Sequence, residues 1–234
     1  ARPSVPFNSA FLTSADGVLT GFRYDKHHLV PLVERVPLVP ATWVESGQAF
    51  GHYGRGEDWP LGSTRSGAPF GTLVCFESAY PGHARRFRRE GANVLVNLTN
   101  DAWFGREPWY SRTAALWQHP AHLVMRAIEN RVGVARAANT GISLFVDPRG
   151  RVYGRTRLFQ PEVLEATVYT SDVLTLYTRT GDVAGPAALI VTLVAPALML
   201  TPEPSRPIAC SSSPSMWCLG SSCCSWRTNL RTSC

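Results

Sequence analysis

The sequence predicts an α/β protein, and three observations predict it. Two short apolar runs, residues 70–76 and 93–98, have the length and flanking turn residues of buried strands. A helical stretch over 81–89 separates them, which gives the strand–helix–strand order of an α/β sheet. Lys26, the sole lysine of the 234 residues, and Cys75, the sole cysteine before residue 210, both fall at the ends of predicted strands.

The elements follow in order. Residues 7–24 read as a hairpin, because Asp16-Gly17 sits between two apolar runs and supplies the turn. Lys26 closes its second strand. Residues 27–66 are rich in Pro, Gly and Trp and read as a long functional loop. The strand at 70–76 ends in Glu77-Ser78, and Pro81 suits the first turn of a helix that Gly91 stops. The strand at 93–98 closes in Thr99-Asn100-Asp101. Residues 114–130 form a helix with apolar positions at Leu123, Ala127 and Ile128. Strands are expected at 133–138 and 142–146, then the turn Asp147-Pro148-Arg149-Gly150, then strands at 152–157 and 163–169. Residues 174–182 read as loop.

Three regions result. Residues 1–182 are expected to be the main folded domain. Residues 183–200 carry no charge and sit at the lower limit of a transmembrane helix, with a buried core helix as the other reading. Residues 201–234 are rich in Ser, Cys, Pro and Trp without periodicity, so a disordered or artefactual tail is expected. The chain starts at Ala1 without a signal peptide, and an N-terminal part of the natural protein is expected to be missing.

The net charge of +6 does not indicate nucleic-acid binding. The arginines are scattered, and the cluster Arg85, Arg86, Arg88 and Arg89 reads as a solvated helix face. The mild basic excess suits a protein lying against anionic lipid. Five cysteines crowd the tail without histidines at metal-ligand spacing, so neither a disulfide framework nor a metal is expected in the main domain.

Arginine fills nearly every basic position, so the surviving Lys26 suggests work a guanidinium cannot do, such as placing a compact ammonium against an oxyanion. Cys75 at a strand-to-helix turn can act as a nucleophile. A buried thiol packed as a small hydrophobe is the commoner fate of such a residue. Glu77, two positions on, would share a strand face with Cys75; a surface carboxylate or helix cap is the alternative.

The stretch Lys26-His27-His28-Leu29-Val30-Pro31-Leu32-Val33-Glu34-Arg35-Val36-Pro37 resembles the lysine motif of the nitrilase superfamily, in the form found in apolipoprotein N-acyltransferases. Val74-Cys75-Phe76-Glu77 resembles the nucleophile motif of that family. The run from Asn97 through Asp101-Ala102-Trp103-Phe104-Gly105 resembles its Asn-Asp-Ala-Trp-Phe-Gly loop. Gln118-His119 with Arg126 to Asn130, and Arg136 to Ser143, complete the order. Leu32-Val33 replaces the Phe-Gly that usually precedes the glutamate, and the stretch between Gly105 and Gln118 is longer than usual.

The resemblance implies an α-β-β-α sandwich lacking its first part, followed by one transmembrane helix. It implies catalysis by Cys75, Lys26, Glu34 and Glu77. Cys75 would take an acyl chain from a membrane phospholipid as a thioester. Lys26 and the backbone N–H of Phe76 would stabilise the oxyanion, Glu34 would hold Lys26, and Glu77 would support the site. The acyl group would pass to the N-terminal amine of a diacylglyceryl-cysteine in an apolipoprotein. Trp103, Phe104, Gln118 and His119 are candidates for binding substrate. No cofactor, metal or nucleic acid is implied. A monomer at the bacterial inner membrane, with its catalytic domain on the periplasmic side, is expected. The glutamate that serves the family as general base precedes the lysine, and none precedes Lys26, so this chain alone is expected to be inactive. The rival readings are a soluble nitrilase-type amidase or carbamoylase, and a non-catalytic truncated remnant.

Overall fold

The computed structural model describes residues 5–35 and 53–199. The expected tail at 201–234, the chain start and the motif residues Val36 and Pro37 lie outside the described residues.

The hairpin forms as the Asp-Gly turn requires. Strands β1 (Ser9–Thr13) and β2 (Leu19–Asp25) pair antiparallel. Gly17 takes φ of 82°, a left-handed value that a residue without Cβ adopts at little cost. Only one side of the hairpin is buried: Ala10 and Tyr24 face inward, while Phe11 and Leu19 face solvent.

A six-stranded mixed sheet carries the rest. Its strands are β3 (Gly62–Ser63), β4 (Pro69–Val74), β5 (Val94–Asn100), β6 (Gly133–Asn139), β7 (Leu144–Val146) and β8 (Val152–Arg155), paired in that order. β4, β5 and β6 run parallel and form the centre; β3, β7 and β8 add antiparallel edges. Parallel neighbours need crossovers, and helices α1 (Pro81–Arg89) and α2 (Ala115–Asn130) lie on them. α1 packs on β4, α2 packs on β6 and β7, and the two helices touch. Leu116, His119, Leu123, Arg126, Ala127 and Asn130 form the buried stripe of α2, at helical spacing. Ile128, expected on that stripe, is half-exposed. Phe87 of α1 sits directly on β4, where a Cβ at Gly71 would overlap its ring. Leu73, Phe87, Leu95, Leu123 and Val134 form one core with Ala10 and Tyr24 of the hairpin. The described residues thus show a mixed sheet with one helical layer and a hairpin; a second full sheet of a sandwich is not among them.

Four expectations change. Residues 163–169 are not a strand. Val163 is 97% exposed, and the carbonyl of Thr167 accepts the Tyr153 hydroxyl instead of a ladder N–H. Residues 174–182 contain a short helix, α3 (Leu176–Thr180), whose cap Thr175 accepts the backbone N–H of Thr178 through Oγ1. The arginine cluster on α1 is only partly a solvated face. Arg88 is buried and donates to the carbonyls of Ala92 and Val173. Arg85 donates to the carbonyls of Tyr177, Thr178 and Arg179 at the end of α3.

The fourth concerns the membrane. Helix α4 (Ala184–Met199) fills the uncharged segment, yet its 16 residues reach only about 24 Å at 1.5 Å per residue. The hydrocarbon core of a bilayer is about 30 Å thick. Among the described residues no helix is long and apolar enough to cross a membrane.

Candidate active site

Lys26 follows β2 and turns inward, so its side chain is fully buried. Its Nζ lies 2.9 and 2.8 Å from the two carboxylate oxygens of Glu34. Glu34 is satisfied beyond that ion pair. Asn8 Nδ2 donates to Oε1 at 2.8 Å, and the backbone N–H of Val30 donates to Oε2 at 2.7 Å. Each oxygen therefore accepts two hydrogen bonds, which uses the carboxylate's four acceptor positions. An ammonium has three N–H bonds; among the described residues Glu34 takes two, and the third is left without a partner beside the adjoining cavity.

Cys75 opens a 3₁₀ turn, Cys75–Ala79, at the end of β4. Its φ is 55°, left-handed and unusual for a residue with a side chain. Such a conformation costs about 1–2 kcal/mol, so neighbouring groups must hold it. Two do. The Cys75 carbonyl accepts Asn97 Nδ2 at 3.3 Å and His119 Nε2 at 3.2 Å. Behind them Arg136 donates to Asn97 Oδ1 at 2.6 Å and to Asp101 Oδ2 at 2.5 Å, and Asp101 Oδ1 lies 2.9 Å from His119 Nδ1. Burial alone would raise the Asp101 carboxyl; the hydrogen bond from His119 and the Arg136 guanidinium outweigh it and hold it below the usual range.

Glu77 belongs to the same turn, so the strand argument for a shared face with Cys75 does not apply. It is fully buried. Its Oε1 accepts the backbone N–H groups of His27 and His28 at 2.7 and 3.0 Å. Its Oε2 accepts Val74 N–H at 2.8 Å and the Tyr24 hydroxyl at 3.0 Å. Burial raises this carboxyl, and the four donors oppose that rise. Glu77 therefore ties the residues after Lys26 to the turn that bears Cys75.

Lys26, Glu34, Cys75 and Phe76 open together on a cavity of about 770 Å³. Val30, Val33 and Leu98 give it apolar walls, and Trp103 and Phe104 also line it. Trp103 is 72% exposed, so it is free to meet an incoming ligand. Gln118 is exposed on α2, and His119 is buried behind Cys75; neither lines the cavity. A thiol and an ammonium on one apolar cavity can form a thioester and stabilise its oxyanion. Among the described residues no group of histidine, cysteine and carboxylate side chains could hold a metal ion.

Sequence reasoning gave no separate role to Asn8, Tyr24, Asn97, Asp101 or Arg136. One signal was available. Asn97 and Arg136 are polar residues in the middle of apolar strands, and they are direct partners in the β5–β6 register. A buried charge in such a place needs partners, and here they lead to Cys75.

Residues 1–176 match the carbon-nitrogen hydrolase family. The chain belongs to that family. It is 44% identical to an apolipoprotein N-acyltransferase of Geobacter metallireducens over 178 residues, covering 75% of this chain and 33% of that protein. It is 38% identical to that of Chlorobaculum tepidum over 168 residues, covering 68% of this chain and 30% of that protein. The chain thus spans about a third of the length of these relatives. A crystal structure of a carbon-nitrogen hydrolase from Helicobacter pylori superposes with a TM-score of 0.51 at 17% identity, covering 67% of this chain and 54% of the other. That likeness concerns the fold.

Proposed function

We propose that this chain is the catalytic part of an apolipoprotein N-acyltransferase. One observation carries the reading: the Lys26–Glu34 pair and Cys75 share one largely apolar cavity, of a size to hold part of an acyl chain. The similarity to acyltransferases over most of the chain selects this chemistry from the family's range.

In this reading the Cys75 thiolate attacks an ester carbonyl of a phospholipid. The oxyanion is met by the free N–H of Lys26 and the backbone N–H of Phe76. The lysolipid leaves, and the acyl group remains on Sγ as a thioester. The amine of a diacylglyceryl-cysteine then attacks it, an amide forms, and the thiol is regenerated. Apolar walls and the exposed Trp103, with Phe104, receive the lipid and keep water from the thioester. Glu34 holds Lys26, and Glu77 fixes the spacing between the lysine and cysteine segments. Residues 1–182 form the catalytic domain, a portion of an α-β-β-α sandwich on the periplasmic side. The uncharged segment 183–200 enters the membrane, and 201–234 is a tail.

The test uses the complete protein that carries this chain, in membranes of a strain depleted of its own N-acyltransferase. It should acylate a diacylglyceryl peptide and form a hydroxylamine-sensitive adduct that Cys75→Ser abolishes. Hydrolysis of short amides without acyl transfer would replace this reading with an amidase.

A further inference from the structure

We propose that His119 is a positioning residue that sets the peptide of Cys75, with Arg136 as the group that aims it. The proposal rests on Cys75 as the nucleophile and concerns how its backbone is held.

The Cys75 carbonyl accepts from two side chains, His119 Nε2 and Asn97 Nδ2. A carbonyl can only accept, so Nε2 of His119 carries a proton. One guanidinium orients both donors. Arg136 Nη1 donates to Asn97 Oδ1, which leaves the amide's Nδ2 facing Leu73 and Cys75. Arg136 Nη2 donates to Asp101 Oδ2, and the other Asp101 oxygen meets His119 Nδ1. Thr99 Oγ1 adds a hydrogen bond to that oxygen at 3.1 Å.

The assembly cannot shift easily. His119, Asn97, Asp101 and Arg136 are all buried. Asn97 and Arg136 are opposite each other in adjacent parallel strands. The backbone at Gly141 presses on Asp101 so closely that a Cβ there would collide with the carboxylate. Arg136 Nε donates to the carbonyl of Ile142 at 3.0 Å, which fixes the guanidinium plane. His119, Asn97, Asp101 and Arg136 reach Cys75 through its carbonyl and lie outside the cavity lining. The network therefore acts on the left-handed conformation of Cys75, and through it on where the thiol points. With the carbonyl released, Cys75 is free to relax to a negative φ, and the side chain turns away from Lys26.

Alkylation of Cys75 by iodoacetamide, followed by peptide mapping so that the tail cysteines are scored apart, reads this directly in the full chain. It requires neither phospholipid nor lipoprotein, so its outcome is independent of the acyltransferase reading. His119→Phe keeps a ring but removes the donor and should slow alkylation of Cys75 about tenfold in a protein with parental circular dichroism. His119→Gln restores an N–H at about the same reach and should recover at least half of the parental rate. Asp101→Asn, a milder change that weakens the hold on His119, should slow it about threefold and serves if the Phe variant does not fold. A parental rate in a folded His119→Phe or Asp101→Asn protein overturns the proposal. So does a slow Phe variant that Gln fails to rescue, because packing rather than the donor would then be the cause.

Discussion

The carboxylate of Glu77 accepts the backbone N–H of His27 at 2.7 Å, which binds the residue after Lys26 to the turn that begins at Cys75. Fifty positions of sequence separate the two partners. The contact is one of four to the same buried carboxylate, and the group that makes them is a hinge pin between two halves of the candidate site.

Replacing it tests that role. Glu77→Gln keeps the shape but puts an NH₂ where one oxygen accepted Val74 N–H or His27 N–H. A buried backbone donor left without an acceptor costs about 1–3 kcal/mol. Urea unfolding should show a free energy of unfolding lowered by at least that much, read as a lower midpoint at unchanged slope. An unaltered midpoint would mean that water or a rotated side chain replaces the carboxylate.

Lys26→Arg is expected to fail although it keeps the charge. The side chain is fully buried, and Nζ meets both oxygens of Glu34. A planar fork is larger than an ammonium and directs its donors along fixed axes. Removing one oxyanion donor typically costs about 10²–10³ in turnover, and a loss of that order is expected in the complete enzyme. Turnover within a few-fold of the parent would show that Lys26 supplies charge alone.

Much of this site was legible in the sequence, and the reason is local. Asp16-Gly17 fixes the hairpin, which delivers Lys26, and the apolar run before Cys75 ends where β4 ends. Lys26 and Glu34 are close in sequence, so their pairing needs only one loop. The Asn97–Arg136–Asp101–His119 network was not legible as a unit. It joins β5, β6, the turn after β5 and α2, and only the parallel register and the crossover of α2 bring those together. The expected strand at 163–169 has the right composition, but among the described residues it pairs with no strand, although β8 leaves the outer edge of the sheet open beside β7. Propensity proposes such a segment, and tertiary pairing decides it.

Gly71→Ala should expose how tightly α1 sits on the sheet. The Phe87 ring covers Gly71 in β4, and an added Cβ would overlap it. Overpacking of this kind costs about 1–3 kcal/mol. Thermal unfolding should show a lower Tm, and pairing the change with Phe87→Leu should recover part of it. Two independent losses that simply add would argue against direct contact.

The last prediction concerns acid. His27, His28 and His83 gather beside Trp59 and Tyr80, with His27 stacked on Trp59 and His28 Nδ1 3.2 Å from His83 Nε2. Burial pushes His27 down to about 4, and Arg55 and His28 add to the fall while Asp25 and Asp58 oppose it. Burial, with His28, His27 and Arg55, pushes His83 down to about 3. Burial and Arg55 lower His28 as well. In the unfolded chain these rings titrate near 6.5. Between that pH and the folded values the unfolded state binds protons that the folded state refuses, so stability falls as pH falls. The histidine contribution is complete above about pH 6.5 and declines towards pH 4 for His27 and pH 3 for His83. Glu77, raised by burial, acts with the opposite sign, because its folded form holds a proton that the unfolded chain has released. His83→Gln keeps a hydrogen-bonding group beside His28 and removes one of the depressed rings. Its Tm should fall less than the parent's between pH 7 and pH 4, whatever its value at pH 7. Parallel curves for the two proteins would show that His83 takes no part in the acid response.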